Sequence, residues 1–143
     1  QVDEGVLARL MDTPYFTRKP PKSLDRDAFD PAPVRMLSLS DAVATLAAFT
    51  VRSVERALAN MPEAPLRWLV CGGGRHNPVL MAMLAERLGV PVDPVEDVGW
   101  DGDMLEAQAF AFMARRCQRD LPLTFPGTTN APAPLTGGRI VMP

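Results

Sequence analysis

Val70-Cys71-Gly72-Gly73-Gly74-Arg75-His76-Asn77-Pro78 follows an apolar, strand-like segment, Leu66 to Val70, and precedes an amphipathic pattern that begins near Val79. Three consecutive glycines remove every Cβ at a strand-to-helix turn, so another group, typically a nucleotide, can approach the main chain closely. Asn77 suits the N-cap of the following helix, and Pro78 then falls at the first helical position. Leu80, Met81, Met83, Leu84 and Leu88 make one helical stripe, and Gly89 is a natural stop. Val90-Pro91-Val92 reads as a second short strand. Strand, helix and strand in this order predict a βαβ unit with parallel strands, and so an α/β fold. The glycines lack the G-x-G-x-x-G spacing of a dinucleotide fingerprint, and no Gly-Lys-Ser/Thr follows them as in a Walker A loop. From the local pattern alone, a plain tight turn and a nucleotide contact at a strand's carboxyl end are equally good readings.

Working outward, Val6, Leu7, Leu10 and Met11 predict a helix over 3–12 that Asp12-Thr13-Pro14 breaks. Residues 13–39 hold five of the fifteen prolines and read as irregular, with an extended basic stretch at Arg18-Lys19-Pro20-Pro21-Lys22-Ser23. Ser40 or Asp41 can cap a long helix to about Asn60. Its apolar stripe is Val43, Leu46, Ala47, Thr50, Val54, Ala57, Leu58 and Met61, with Arg52, Glu55 and Arg56 solvated on other faces. Leu66 to Cys71 is expected to be buried on both faces near its end. Asp97 to Asp103 forms an acidic loop, and Asp101 or Asp103 can cap a helix over 103–118. The expected buried stripe there is Leu105, Ala109, Phe112 and Met113, with Phe110 on its flank. Residues 121–136 read as surface loop, and Arg139 to Met142 as a last short strand. The organisation is one domain over 1–143, with segments 1–39, 40–61, 66–118 and 119–143.

Composition bounds the function. A chain of 143 residues with 47% hydrophobic and 22% charged residues has the balance of a globular domain rather than a disordered one. A net charge of -2 leaves no footprint for nucleic acid or an anionic membrane. The apolar runs are too short to span a bilayer, and no signal peptide is evident. Cys71 and Cys117 match neither a metal spacing nor a disulfide framework, so buried, reduced thiols and a cytoplasmic setting are expected.

The candidate site residues divide by chemistry. His76, the sole histidine, reads first as a hydrogen-bonding loop residue. Lys19 and Lys22 could hold phosphate as point charges, but a solvated basic loop is the stronger reading. Asp101, Asp103 and Glu106 cluster at a helix start. They serve either as caps with dipole compensation or, for Glu106, as a carboxylate presented to a cleft.

Four blocks in order resemble the C-terminal part of the anhydro-N-acetylmuramic acid kinase family. They are Pro20-Pro21-Lys22-Ser23 with Arg26 and Phe29, Asp41 to Leu46, Val70 to Pro78, and Gly99 to Ala111. The resemblance implies a C-terminal lobe of an actin-like ATPase, ribonuclease H-like fold. Its superfamily unites acetate and sugar kinases, heat-shock ATPases and actin, all with ATP in a cleft between two lobes. It further implies ATP-dependent phosphorylation of the 6-position of 1,6-anhydro-N-acetylmuramic acid, with opening of the anhydro ring, in peptidoglycan recycling. Cofactor contacts are carried over to Gly72, Gly73, Gly74 and Asn77, and a sugar or lobe-closure contact to Glu106. ATP with Mg2+ is the implied donor and the anhydro-amino sugar the acceptor. An N-terminal lobe with the phosphate-binding segment and the catalytic aspartate is expected outside these residues, so the chain alone should turn over nothing. A homodimer is an open assembly, and self-association through surface bared by the absent lobe is expected. The sequence departs from the family's Pro-Pro-Lys-Ser-Thr-Gly-Arg in reading Leu24-Asp25-Arg26. The rival readings are a non-catalytic α/β nucleotide-binding or interaction module, or the lobe of a related sugar or acetate kinase.

Overall fold

The structure is a computed structural model that describes residues 1–141, with Arg26 described by its backbone alone. The first helix, α1 (Glu4–Met11), starts where the Asp3 carboxylate accepts the Val6 N–H at 2.8 Å. Pro14 opens a single turn, α2 (Pro14–Thr17), capped by Thr13. Residues 18–38 run irregularly through a cis Pro20-Pro21 bond and two 3₁₀ turns, Arg26–Ala28 and Ala32–Met36. The long helix is α3 (Leu39–Ala57), and Ser38 caps it rather than Ser40 or Asp41. The Ser38 hydroxyl accepts the Asp41 N–H at 3.2 Å and donates to the Asp41 carboxylate at 2.8 Å, so one free N–H of the first turn is satisfied and the capping hydroxyl is held in place.

The main core lies between α1 and α3. Val6, Leu7 and Leu10 are buried on α1, and Thr45, Ala48 and Val51 on α3. Each large apolar side chain in that seam contributes about 1.5–3 kcal/mol by leaving water. Thr45 has no exposed surface, and its hydroxyl accepts the Asp3 N–H at 3.0 Å, which fixes the start of α1 against the middle of α3. This corrects the expected stripe, because Val43 (59% exposed), Leu46 and Thr50 point outward. The helix is apolar on two sides, and the side with the small residues Thr45 and Ala48 admits α1 closely. Tyr15, Phe16, Phe29 and Phe49 form an aromatic cluster with centroid separations of 5.3 to 6.3 Å, edge-to-face except for the stacked Phe16–Phe29 pair. With Trp68 they line a cavity of about 480 Å³. The Trp68 indole N–H is buried without an acceptor among the described residues.

The βαβ unit forms as expected. Strand β1 (Trp68–Val70) pairs in parallel with β2 (Val92–Pro94), in the register Trp68 to Val92 and Val70 to Pro94. The crossover is α4 (Pro78–Leu88), which ends at Gly89 in a left-handed conformation (φ +67°). The second strand starts two residues later than expected, since Gly89 and Val90 complete the exit bend while the Pro91 carbonyl accepts the Trp68 N–H at 2.8 Å. Arg67 bridges the two strands to Asp93 at 2.6 Å. With two strands in the sheet, one face stays open, and Leu69 and Cys71 are exposed instead of buried.

Helix α4 packs on α3, and its Leu84 is buried. Glu55, expected to be merely solvated, ties the two helices together by accepting from Arg87 of α4 at 2.8 Å; Arg52 lies 3.6 Å from it on the same helix, and Arg56 is exposed as expected. Helix α5 (Leu105–Gln118) has no buried residue, which overturns its expected apolar stripe. Phe110 and Phe112 are 62% and 63% exposed. The tail folds through α6 (Pro126–Thr129) and a single antiparallel bridge, Thr124 to Leu135. Gly138, at φ +87°, then passes so close to α5 that a Cβ would stand 2.8 Å from Cys117 Sγ. Residues 136–141 form no strand, and Met142 lies outside the described residues.

Candidate functional site

The glycine turn leaves the carboxyl end of β1. Gly72 takes φ +72° with extended ψ, a region closed to most side chains. Gly73 and Gly74 enter a 3₁₀ turn, Gly73–His76, and both are exposed. A Cβ built on Gly74 meets only Leu80 at 3.5 Å, and one on Gly73 meets nothing within 4 Å. Gly73 is also outside the positive-φ set, so neither backbone conformation nor packing within this chain requires a glycine there. Asn77 caps α4 as expected: its side-chain oxygen accepts the Val79 and Leu80 N–H groups at 3.1 and 3.2 Å. The N-terminus of α4 thus opens beside three glycines over uncrowded space.

The acidic loop is joined directly to this turn. The Gly72 N–H donates to the Gly102 carbonyl at 3.1 Å. Arg75, named only as part of the motif above, is the side chain that organises the junction. Its guanidinium is 4% exposed and donates to the Gly72 carbonyl (2.9 Å), Glu96 Oε1 (2.9 Å) and Asp103 Oδ1 (2.8 Å). Glu96 Oε1 also accepts the Gly102 N–H at 3.2 Å. Arg75 holds the Asp103 carboxyl below the usual carboxylate range, chiefly by its hydrogen bond. Glu96 is likewise lowered, first by its own backbone N–H and then by the Gly102 N–H and the Arg75 guanidinium. The same bonds raise Arg75 further.

Neither Asp103 nor Asp101 is the cap of α5: the N-cap position is Met104, with no side-chain bond, and Asp101 closes the turn just before the helix, accepting the Asp103 and Met104 N–H groups at 3.0 and 3.1 Å. Glu106 sits in the first turn of α5, solvent-exposed. His76 is exposed with Nε2 3.8 Å from Asp103, which is beyond hydrogen-bond reach. Among the described residues no three His, Cys, Asp or Glu side chains converge on a metal position. Lys22 is half-buried: its ammonium donates to the Tyr15 and Phe16 carbonyls at 2.9 and 3.3 Å and lies over the Tyr15 ring. Where the family reads Thr-Gly, Asp25 closes the loop by accepting the Asp27 N–H at 2.9 Å.

Sequence reasoning missed Arg75 and Glu96. A charged side chain inside a glycine turn after an apolar strand, with acids in the next loop, is the signal that could have found them.

A family model described as anhydro-N-acetylmuramic acid kinase matches residues 1–143. The chain belongs to the anhydro-N-acetylmuramic acid kinase family. Relatives of that name are 57% identical in Caulobacter vibrioides over 99% of this chain and 60% identical in Rhodospirillum rubrum over 96%. A third, in Phenylobacterium zucineum, is 52% identical over the full chain. The chain spans 38%, 37% and 39% of these three relatives' lengths. No helix among the described residues is long and apolar enough to cross a membrane.

Proposed function

We propose that these residues form the C-terminal lobe of a kinase that uses ATP to phosphorylate 1,6-anhydro-N-acetylmuramic acid with opening of the anhydro ring, in the cytoplasmic recycling of peptidoglycan. The lobe is one domain with an actin-like architecture, closed in the whole protein by a second lobe that carries the catalytic aspartate. The observation that carries this reading is Gly73: a glycine that its own chain does not need, exposed at the carboxyl end of a parallel strand, beside a helix N-terminus. Such a position suits a phosphate or ribose drawn up to the main chain. Gly72 and Gly74 continue the same surface, and Asn77 sets the helix end that favours the anion. Glu106 then serves the sugar side, in the first turn of the helix that the Gly102–Gly72 contact fixes beside the glycines. Mg2+ arrives with the nucleotide in this reading. Glu96 and Asp103 are engaged by Arg75, so the phosphates rather than a protein cage hold the ion.

The test is a coupled assay with ATP and the anhydro sugar, comparing the full-length polypeptide with the 143-residue chain and with Gly73→Ala in the full length. The full-length protein should turn over and the 143-residue chain should not, since phosphoryl transfer depends on groups from both sides of a cleft. Gly73→Ala should raise the KM for ATP about tenfold with the melting temperature unchanged. Turnover by the isolated chain, or an unaltered KM in the variant, would refute the corresponding part.

A further inference from the structure

The contacts of Arg75 have a peculiar distribution. None goes to the α1–α3 core. One is to the glycine turn itself, through the Gly72 carbonyl, and two are to the following loop, through Glu96 and Asp103. The loop approaches so closely that a Cβ on Gly102 would stand 2.5 Å from Arg75 Nε and 2.7 Å from Cζ. A main-chain bond, Gly72 N–H to Gly102 carbonyl, runs parallel to these side-chain bonds. The guanidinium is buried while its carboxylate partners stay 44% and 68% exposed, so the desolvation falls on the cation. What an arginine adds is a planar fork whose donors fix three acceptors at set angles, which a flexible ammonium does not.

We propose that Arg75 is a positioning residue of the kinase reaction: it locks the Gly72–Gly74 turn and the approach to α5 into one rigid piece, so that the nucleotide-facing glycines and Glu106 keep a fixed separation. This rests on the kinase reading above. Reacting groups displaced by about 1 Å can lose about a hundredfold in rate, so the spacing of these two elements acts directly on turnover.

The experiment uses the full-length polypeptide with ATP and the anhydro sugar. Arg75→Ala, Arg75→Lys and Gly102→Ala are each assayed below their melting temperatures and scaled to folded protein. Arg75→Ala should lower kcat at least about tenfold and raise the KM for both substrates. Lysine, which reaches one carboxylate, should recover part of the loss. Gly102→Ala keeps the charge but pushes the guanidinium aside, and should reproduce the kcat defect. It carries the comparison with Arg75→Lys if the alanine variant does not fold. A lower melting temperature with unchanged kcat and KM in all three would make Arg75 a merely structural residue and overturn the proposal while leaving the kinase reading intact. Failure of the wild-type polypeptide to phosphorylate the sugar would overturn the kinase reading and this proposal together.

Discussion

At the scale of single residues, the junction separates glycines that the fold uses from two that it does not need. Gly72 is required by its positive φ and Gly102 makes room for Arg75, whereas Gly73 and Gly74 have no positive φ and a Cβ on them would meet nothing closer than an ordinary contact. Asn77 holds the turn to its helix through two accepted N–H groups. Replacing it with alanine should cost about 1 kcal/mol, and with glycine only a few tenths. Thermal melts of Asn77→Ala and Asn77→Gly check this; equal destabilisation by both would show that the amide oxygen is not the cap. Asn77 was legible because capping is local and Pro78 marks the next position. Arg75 was not, because its partners Glu96 and Asp103 lie 21 and 28 positions away, and only the return of the second strand brings them close.

At the scale of elements, helices α1, α3, α4 and α5 and the parallel pair were readable from periodicity, the single turns α2 and α6 were not, and neither was the face that α3 buries, nor that α5 buries none. In α3, two apolar stripes compete, and a periodic pattern cannot say which one meets α1; the hydroxyl of Thr45, reaching the Asp3 amide, decides it. Strand β2 slipped by two residues because Gly89 and Val90 were needed for the bend. The junction between the glycine turn and the acidic loop also has a definite response to acid. Asp103 and Glu96 titrate below their ordinary range when folded. Their contribution is therefore complete above the unfolded carboxylate range and is lost as pH falls through the lower folded values. The melting-temperature difference between wild type and Asp103→Asn should be constant near neutrality and shrink below about pH 4. A difference that does not change with pH would show that the Arg75–Asp103 pair contributes nothing through its charge.

At the scale of the whole molecule, exposed apolar surface is the dominant fact. Met36, Leu39 and Leu66 are 90%, 82% and 89% exposed, and α5 exposes both Phe110 and Phe112. Such patches associate when nothing covers them. The 143-residue chain should self-associate with rising concentration in sedimentation runs. Leu39→Glu with Val43→Lys should weaken that association if the outer face of α3 mediates it, and Phe110→Ser with Phe112→Ser if α5 does. A monomer at every concentration would count against the expectation. The α/β class was legible from the βαβ signal, whereas the bareness of α5 was not, since apolar spacing is the same whether or not a neighbour is present.

Arg75 and Gly102 also constrain the order in which the chain can change. While the arginine remains, any side chain at position 102 must displace the guanidinium, because its first carbon would stand 2.5 Å from Arg75 Nε. Once Arg75 is shortened, that cost lifts, and the loop can accept residues that one step earlier would have broken the arginine's bonds. The two sites form an epistatic pair with a preferred sequence of events: change at 102 is cheaper after the long residue has yielded, and a returning arginine regains its bonds only where the glycine has been kept.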